Sequence, residues 1–113
     1  METTIEKTDG VVLVTAQYES IDAGTVNDFK GDVEAVIEDG AKVVLDLSRV
    51  EFVDSAGLGG IVWFLKQLAA QGGDLKVCGV CSSVRALFEL IRMHRLIAIY
   101  NDREEAQAAS QKA

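Results

Sequence analysis

The sequence predicts an α/β domain: a mixed β-sheet that begins with an N-terminal hairpin and has about four helices packed against it. Three observations carry this. Apolar residues alternate or cluster in short β-branched runs at some places and recur at intervals of three and four at others, and the two patterns take turns along the chain. The run Val43 to Leu47 holds one charge, Asp46, as expected of a parallel strand covered on both faces. Finally, no linker, repeat or low-complexity segment divides the 113 residues, a length that one core of roughly 100 to 150 residues serves. A single domain over 1–113 follows, its parallel strands joined by right-handed crossovers.

The elements follow in order. Thr3 to Lys7 and Val11 to Ala16 read as strands around Asp9-Gly10, a pair that tolerates the positive φ of a tight hairpin turn. Val26, Phe29, Val33, Val36 and Ile37 trace a first helix, with Asp22 as its N-cap and Gly40 as its stop. Val43 to Leu47 is the next strand, and Glu51 to Val53 extends or follows it. Leu58, Ile61, Val62, Leu65, Leu68 and Ala69 mark the apolar face of a second helix that Gly72 and Gly73 end. Leu75 to Val80 is a strand. Ser82 or Ser83 caps a third helix with Val84, Leu87, Phe88 and Ile91 at helical spacing. Ile97 to Tyr100 is the last strand, and Asp102 with Glu105 forms a capping box for a short helix from Arg103 to about Ser110.

Composition narrows the function. Against 18 Asp and Glu stand 11 Lys and Arg, a net charge of −7, which repels phosphate backbones and anionic headgroups. Binding to nucleic acid and direct membrane insertion are therefore not expected, and the partner is expected to be another protein. The longest stretch free of charge or amide, Ser55 to Leu65, is well short of the roughly 20 apolar residues of a membrane-spanning helix. Glu2, Glu6 and Asp9 stand where a secretory signal carries basic residues, so a cytoplasmic address and reduced cysteines are expected.

The stretch Val53-Asp54-Ser55-Ala56-Gly57-Leu58-Gly59-Gly60 lies where a strand ends and the second helix begins, the edge at which open α/β sheets place function. Its plain reading is a helix start capped by Asp54 or Ser55, with glycines for close packing. A dinucleotide fingerprint fails because Val62 stands at the third glycine, and no Gly-Lys-Ser/Thr follows for a phosphate loop. A hydrolase elbow would need glycine at Val53, and His94 is the one available imidazole. Cys78-Gly79-Val80-Cys81 is too short of ligands for zinc, and Cys78 lies in a strand rather than at a helix start. Both cysteines are expected to act as small hydrophobes, with no metal and no cofactor. Trp63, five residues after Leu58 and about 140° around the helix, either faces solvent as a contact residue or covers the edge of the core.

Val44-Leu45-Asp46-Leu47, Val50 and Phe52-Val53-Asp54-Ser55-Ala56-Gly57-Leu58-Gly59 resemble the signature of STAS domains, the sulfate transporter and anti-sigma factor antagonist family. The likeness continues through Ser20-Ile21-Asp22-Ala23, Leu75-Lys76-Val77-Cys78, Val84-Arg85-Ala86-Leu87-Phe88 and Leu96 to Tyr100. A free-standing chain of this size is similar to the soluble anti-sigma factor antagonists. That resemblance implies a non-enzymatic regulator whose unphosphorylated form binds and sequesters an anti-sigma factor that is also a serine kinase. It implies Ser55 as the phosphoacceptor and a serine phosphatase that resets it. Asp22, Asp54, Ala56, Gly57, Leu58 and Gly59 would form the binding turn, with Gly57 and Gly59 shaping it and Trp63 a contact further along. Cys81-Ser82 and Met93-His94-Arg95 depart from the family's usual loop and glycine-containing helix end. The alternative is a constitutive STAS subunit of a transport or other multiprotein complex.

Overall fold

The computed structural model describes residues 3–111, so positions 1, 2, 112 and 113 of the expected domain lie outside the described residues. Strands β1 (Thr4–Thr8) and β2 (Val11–Thr15) form the expected hairpin, and Asp9 and Gly10 both take positive φ, 52° and 80°, as a two-residue primed turn requires. The remaining strands are β3 (Ser20–Ile21), β4 (Lys42–Asp46), β5 (Phe52–Val53), β6 (Asp74–Cys78) and β7 (Ala98–Tyr100). The main sheet has the order β1-β2-β4-β6-β7, antiparallel only at the hairpin. β3 and β5 form a separate parallel pair. β3 lies outside the reading from sequence, because two residues are too few to show a period, whereas β5 falls within the Glu51 to Val53 stretch and follows β4 as a separate strand.

Four helices cover the sheet: α1 (Val26–Val33), α2 (Ser55–Ala70), α3 (Ser82–Leu90) and α4 (Arg103–Gln111). The period-2 alternation of the strands sorts the two faces. Val12, Val14, Val43, Leu45, Leu75 and Val77 pack with Phe29 of α1, Ile61, Phe64 and Leu68 of α2, and Val84 and Phe88 of α3. Their neighbours Val11, Leu13, Val44 and Cys78 face the other way and are covered by Ala106 of α4. Phe29 and Phe64 meet edge to face, centroids 6.2 Å apart, a favoured aromatic geometry.

Several boundaries differ from expectation. α1 starts at Val26 with Thr25 as N-cap, and a 3-10 turn, Glu34–Val36, takes over after Val33. Asn27, Asp28, Gly31 and Asp32 are poor helix formers, which accounts for the short helix. α2 starts three residues before Leu58, and its buried face is Gly57, Gly60, Ile61, Phe64 and Leu68. Leu58, Val62 and Leu65 are half-buried and Ala69 is exposed. The helix rolls toward its glycines: a Cβ on Gly60 would lie 2.5 Å from Val26 Cγ2, so α1 approaches closer than any side chain allows. Cys81, rather than Ser82 or Ser83, is the N-cap of α3, and Ile91 falls just past its end, exposed. Arg92 there takes the left-handed conformation, φ 60°, which usually falls to glycine and costs other residues roughly 1 kcal/mol. The box at α4 forms one residue displaced: Glu105 N–H donates to Asp102 Oδ1 (2.9 Å) and Asn101 N–H to Glu105 Oε1 (3.1 Å).

α4 is pinned by charge. Asp46, buried at the carboxyl end of β4, accepts from Arg103 Nη2 (2.7 Å) and Nε (3.2 Å) and from Ser48 N–H (2.9 Å), and Arg103 Nη2 also donates to Thr15 Oγ1 (2.8 Å). Burial alone would raise the Asp46 carboxyl, but the Arg103 and Ser48 hydrogen bonds outweigh it and hold the group below its ordinary value of 3.8. A carboxyl lowered by folding stabilises the protein above its unfolded pKa, and that stability is lost as pH falls through the folded one. Removing one partner of a fully buried pair costs roughly 3 to 5 kcal/mol. Because Arg103 is half-exposed, Arg103→Ala is expected to cost about 2 kcal/mol at pH 7. The difference from wild type should shrink below about pH 4 as Asp46 protonates, as urea titrations at pH 7 and pH 3 would measure.

Candidate functional site

The turn into α2 is held from two sides. Asp54 is the N-cap: its Oδ1 accepts from Gly57 N–H at 2.8 Å, satisfying one of the first-turn donors that a helix leaves without partners. Its Oδ2 accepts from Ala23 N–H at 3.1 Å, so one carboxylate ties the loop before α1 to the start of α2. β3 completes the join. Asp54 N–H points to Ile21 O, 3.4 Å away, and an added Cβ on Gly57 would sit 1.9 Å from that same oxygen. Only glycine fits where α2 crosses β3.

Ser55 is the first residue of α2 and is exposed, with its hydroxyl free of hydrogen bonds among the described residues. The alternative of Ser55 as cap is thereby settled in favour of Asp54. Ala56 and Leu58 are half-buried beside it. Gly59 is exposed and an added Cβ there would meet nothing within 4 Å, so Gly59, unlike Gly57, does not shape the turn.

Asp22 is close to this turn without capping α1. Its Oδ2 accepts from Ser20 Oγ (2.9 Å), and its Oδ1 from the N–H groups of Gly24 (2.9 Å) and Thr25 (3.2 Å). The Ser20 hydroxyl is the largest influence on the carboxyl, and with the Gly24 and Thr25 donors it outweighs desolvation and holds the group below its ordinary value. Thr25 Oγ1 donates to Ser20 O (2.9 Å) and accepts from Asp22 N–H (3.0 Å). The loop is a closed set of short-range bonds that presents Ala23 to Asp54. Asp22, Asp54, Ser55, Ala56, Gly57 and Leu58 are thus brought together.

Trp63 is not part of that turn. It lies two helical turns on, about 12 Å along the axis from Ser55, half-buried against the core, with Lys30 Nζ 5.3 Å from its ring centroid. The cation over the ring is a favourable contact that joins α1 to α2. Its position is that of a residue covering the edge of the core.

Phe52 stands in the signature stretch, but the sequence reading gives it no place among the site residues. It is 56% exposed in β5, two positions before Asp54, and it borders a groove of about 230 Å³ with Val53, Val84 and Leu87. The alternation of Glu51, Phe52 and Val53, with Val53 buried, was the available signal: an aromatic on the outer face of a strand.

The two cysteines occupy different settings. Cys78 is buried on the α4 side, and burial, with Asp46 nearby, pushes its thiol up to about 12. Cys81 is half-exposed at the N-cap of α3, where the Ser83 hydroxyl and the Val84 N–H lower its pKa. His94 sits in a 3-10 turn, Met93–Arg95, beyond α3. Among the described residues no group of three or more His, Cys, Asp or Glu side chains is placed to hold a metal, and no helix is long and apolar enough to cross a membrane.

Comparison with known proteins identifies the family and supports the fold. The family model for the STAS domain matches residues 2–106. BtrV of Bordetella bronchiseptica, named as a candidate anti-sigma factor antagonist, is 31% identical over all of this chain and 97% of its own length. The anti-sigma-B factor antagonist of Listeria monocytogenes is 32% identical over 72% of each chain. The crystal structure of an anti-sigma factor antagonist from Mycobacterium paratuberculosis superposes with a TM-score of 0.85 at 27% identity, covering 96% of this chain and 92% of that one.

Proposed function

This chain belongs to the STAS domain family, and from that premise we propose that it is an anti-sigma factor antagonist controlled by phosphorylation. The unphosphorylated form binds and sequesters an anti-sigma factor that is also a serine kinase. Phosphorylation of Ser55 releases that partner, and a serine phosphatase restores the binding form. The protein works by contact and supplies no chemistry of its own. The observation that carries this reading is an exposed Ser55 on the first residue of α2, its hydroxyl unengaged among the described residues, on a turn that the Asp54 cap bond and the close approach at Gly57 hold in place. A helix N-terminus tolerates an anion, so the domain accepts the phosphate while a partner seated over the turn does not.

The test is to purify the native complex and identify by mass spectrometry both the bound protein and the occupancy of phosphate at Ser55. A bound serine kinase, with Ser55 unmodified in the complex and phosphorylated in the free pool, supports the switch. A stable transport assembly with Ser55 unmodified in both pools supports a constitutive subunit instead.

Trp63 extends the same surface along α2. Trp63→Ala is expected to weaken partner binding by about 2 kcal/mol, roughly thirtyfold. Since the ring is half-buried against the core, it is also expected to cost about 1 kcal/mol of stability. Titration calorimetry and a thermal melt on the same sample separate the two effects. Unchanged affinity would assign Trp63 to the core edge alone.

A further inference from the structure

Among the described residues, most of the exposed large hydrophobic side chains gather at one place: Leu90 is 80% exposed, Ile91 47% and Leu96 62%. All three lie where α3 ends and the chain turns toward β7. Since α3 returns from the carboxyl end of β6 to the amino end of the parallel β7, this patch sits at the pole of the sheet opposite Ser55. An apolar cluster of this kind on a water-facing surface marks a contact site.

Its charge is the reverse of the molecule's. The stretch Leu90–Leu96 carries Arg92, His94 and Arg95, all exposed, and no carboxylate, in a chain of net charge −7. Glu89, on the last turn of α3, is the nearest acidic residue in sequence. The ion pairs among the described residues engage Lys76 and Arg103, and none engages Arg92 or Arg95. Arg92 moreover holds the left-handed backbone at the helix end, where glycine is the ordinary occupant. An arginine thus occupies the turn that follows Leu90 and Ile91 against local conformational preference.

We propose that the end of α3 is a second protein-docking surface, fitted to an amphipathic partner helix whose apolar stripe is flanked by carboxylates. Such a helix presents anchors at intervals of three and four residues, matching a patch spread over two successive turns. A bilayer fits less well. An anionic membrane meets the whole molecule and its net negative charge, whereas one helix meets only the ground within a Debye length, about 8 Å at physiological salt. A second copy of this chain fits less well too, because three side chains fall far short of the roughly 800 Å² per partner that a stable interface buries. This surface is separate from the Ser55 turn and does not rest on the switch.

The test uses a fluorescent synthetic helix of about 18 residues, with leucines at helical spacing and glutamates on both flanks, and a twin with lysine for glutamate. Anisotropy titrations of the full chain should show saturable binding of the glutamate peptide at least tenfold tighter than of the lysine twin. Leu90→Ser/Leu96→Ser and Arg92→Glu/Arg95→Glu should each weaken it at least tenfold. Ser55→Asp should leave it unchanged, so this surface can fail while the switch stands, and the reverse. Arg92→Gly relieves the strained backbone, so it should melt no lower than wild type and still bind more weakly, which separates lost contact from lost fold. Equal binding of the two peptides, no saturable binding, or binding indifferent to these variants would overturn the proposal. So would cosedimentation with anionic vesicles or self-association that the leucine variant abolishes.

Discussion

Phosphorylated at Ser55, the protein is expected to bind its kinase more than a hundredfold more weakly than the unmodified form while keeping its fold. The phosphate adds about 1.5 to 2 negative charges and three acceptor oxygens at the first residue of α2. Within the domain this is tolerated, since the helix dipole and unpaired first-turn N–H groups favour an anion. Across an interface the same group must be desolvated against a partner shaped for a hydroxyl, and a loss of only roughly 3 kcal/mol is more than a hundredfold in affinity. Asp54 is not a substrate for a serine kinase, Ala56 has no hydroxyl, and Ser48 lies on the far side of the connection, which leaves Ser55 as the acceptor on this turn. Ser55→Ala is therefore expected to take up no labelled phosphate and to stay bound. Because Asp54 is the cap, the loss of the Ser55 hydroxyl should change stability by no more than about 0.5 kcal/mol. Ser55→Asp should keep a native circular dichroism spectrum and bind more weakly than wild type, but less weakly than the phosphorylated form, since a carboxylate carries less charge and fewer oxygens. Undiminished phosphorylation of Ser55→Ala, or equal affinity of the two forms of the wild type, would defeat the switch.

What the sequence shows of this site is what local chemistry encodes. An Asp three residues before a glycine at the start of an apolar period is legible as a cap, and Asp54 is one. Asp22 also reads as a cap and has a different role, because the loop through Thr25 that intervenes before α1 is closed by side-chain bonds that leave no periodic trace. The face of α2 is misread for a related reason. Hydrophobic periodicity weighs Leu58, Val62 and Leu65 and gives Gly57 and Gly60 nothing, although it is the glycines that let the helix lie on β3 and α1. Asp46 and Arg103 are 57 residues apart, a separation at which sequence carries no pairing signal. Helix and strand alternation is a short-range property and is recovered; the registration of one element on another depends on close approach and is not.

Gly57 and Gly59 put that distinction to a test, since the same substitution two residues apart is expected to have opposite signs. Both positions are helical and both gain up to about 1 kcal/mol of helix propensity on going to alanine. At Gly59 the new methyl meets open solvent, so Gly59→Ala is expected to stabilise the domain by about 0.5 to 1 kcal/mol. At Gly57 the methyl would stand 1.9 Å from Ile21 O and 2.7 Å from its carbonyl carbon. These are backbone atoms that no rotamer change moves aside. β3 and α2 must part, at an overpacking cost of typically 1 to 3 kcal/mol and occasionally more, to which is added loss of the Gly57–Asp54 cap bond, worth about 1 kcal/mol. Propensity offsets only part of this, so Gly57→Ala should be destabilised by about 2 to 3 kcal/mol, a fall in melting temperature of roughly 10 °C for a domain of this size. Since Asp54 also holds Ala23, freeing it loosens the loop that carries Asp22, and amide exchange at Ala23 and Gly24 should quicken in Gly57→Ala and not in Gly59→Ala. A Gly57→Ala protein that melts with the wild type would mean that the crossing of α2 over β3 has slack that a 1.9 Å approach does not allow.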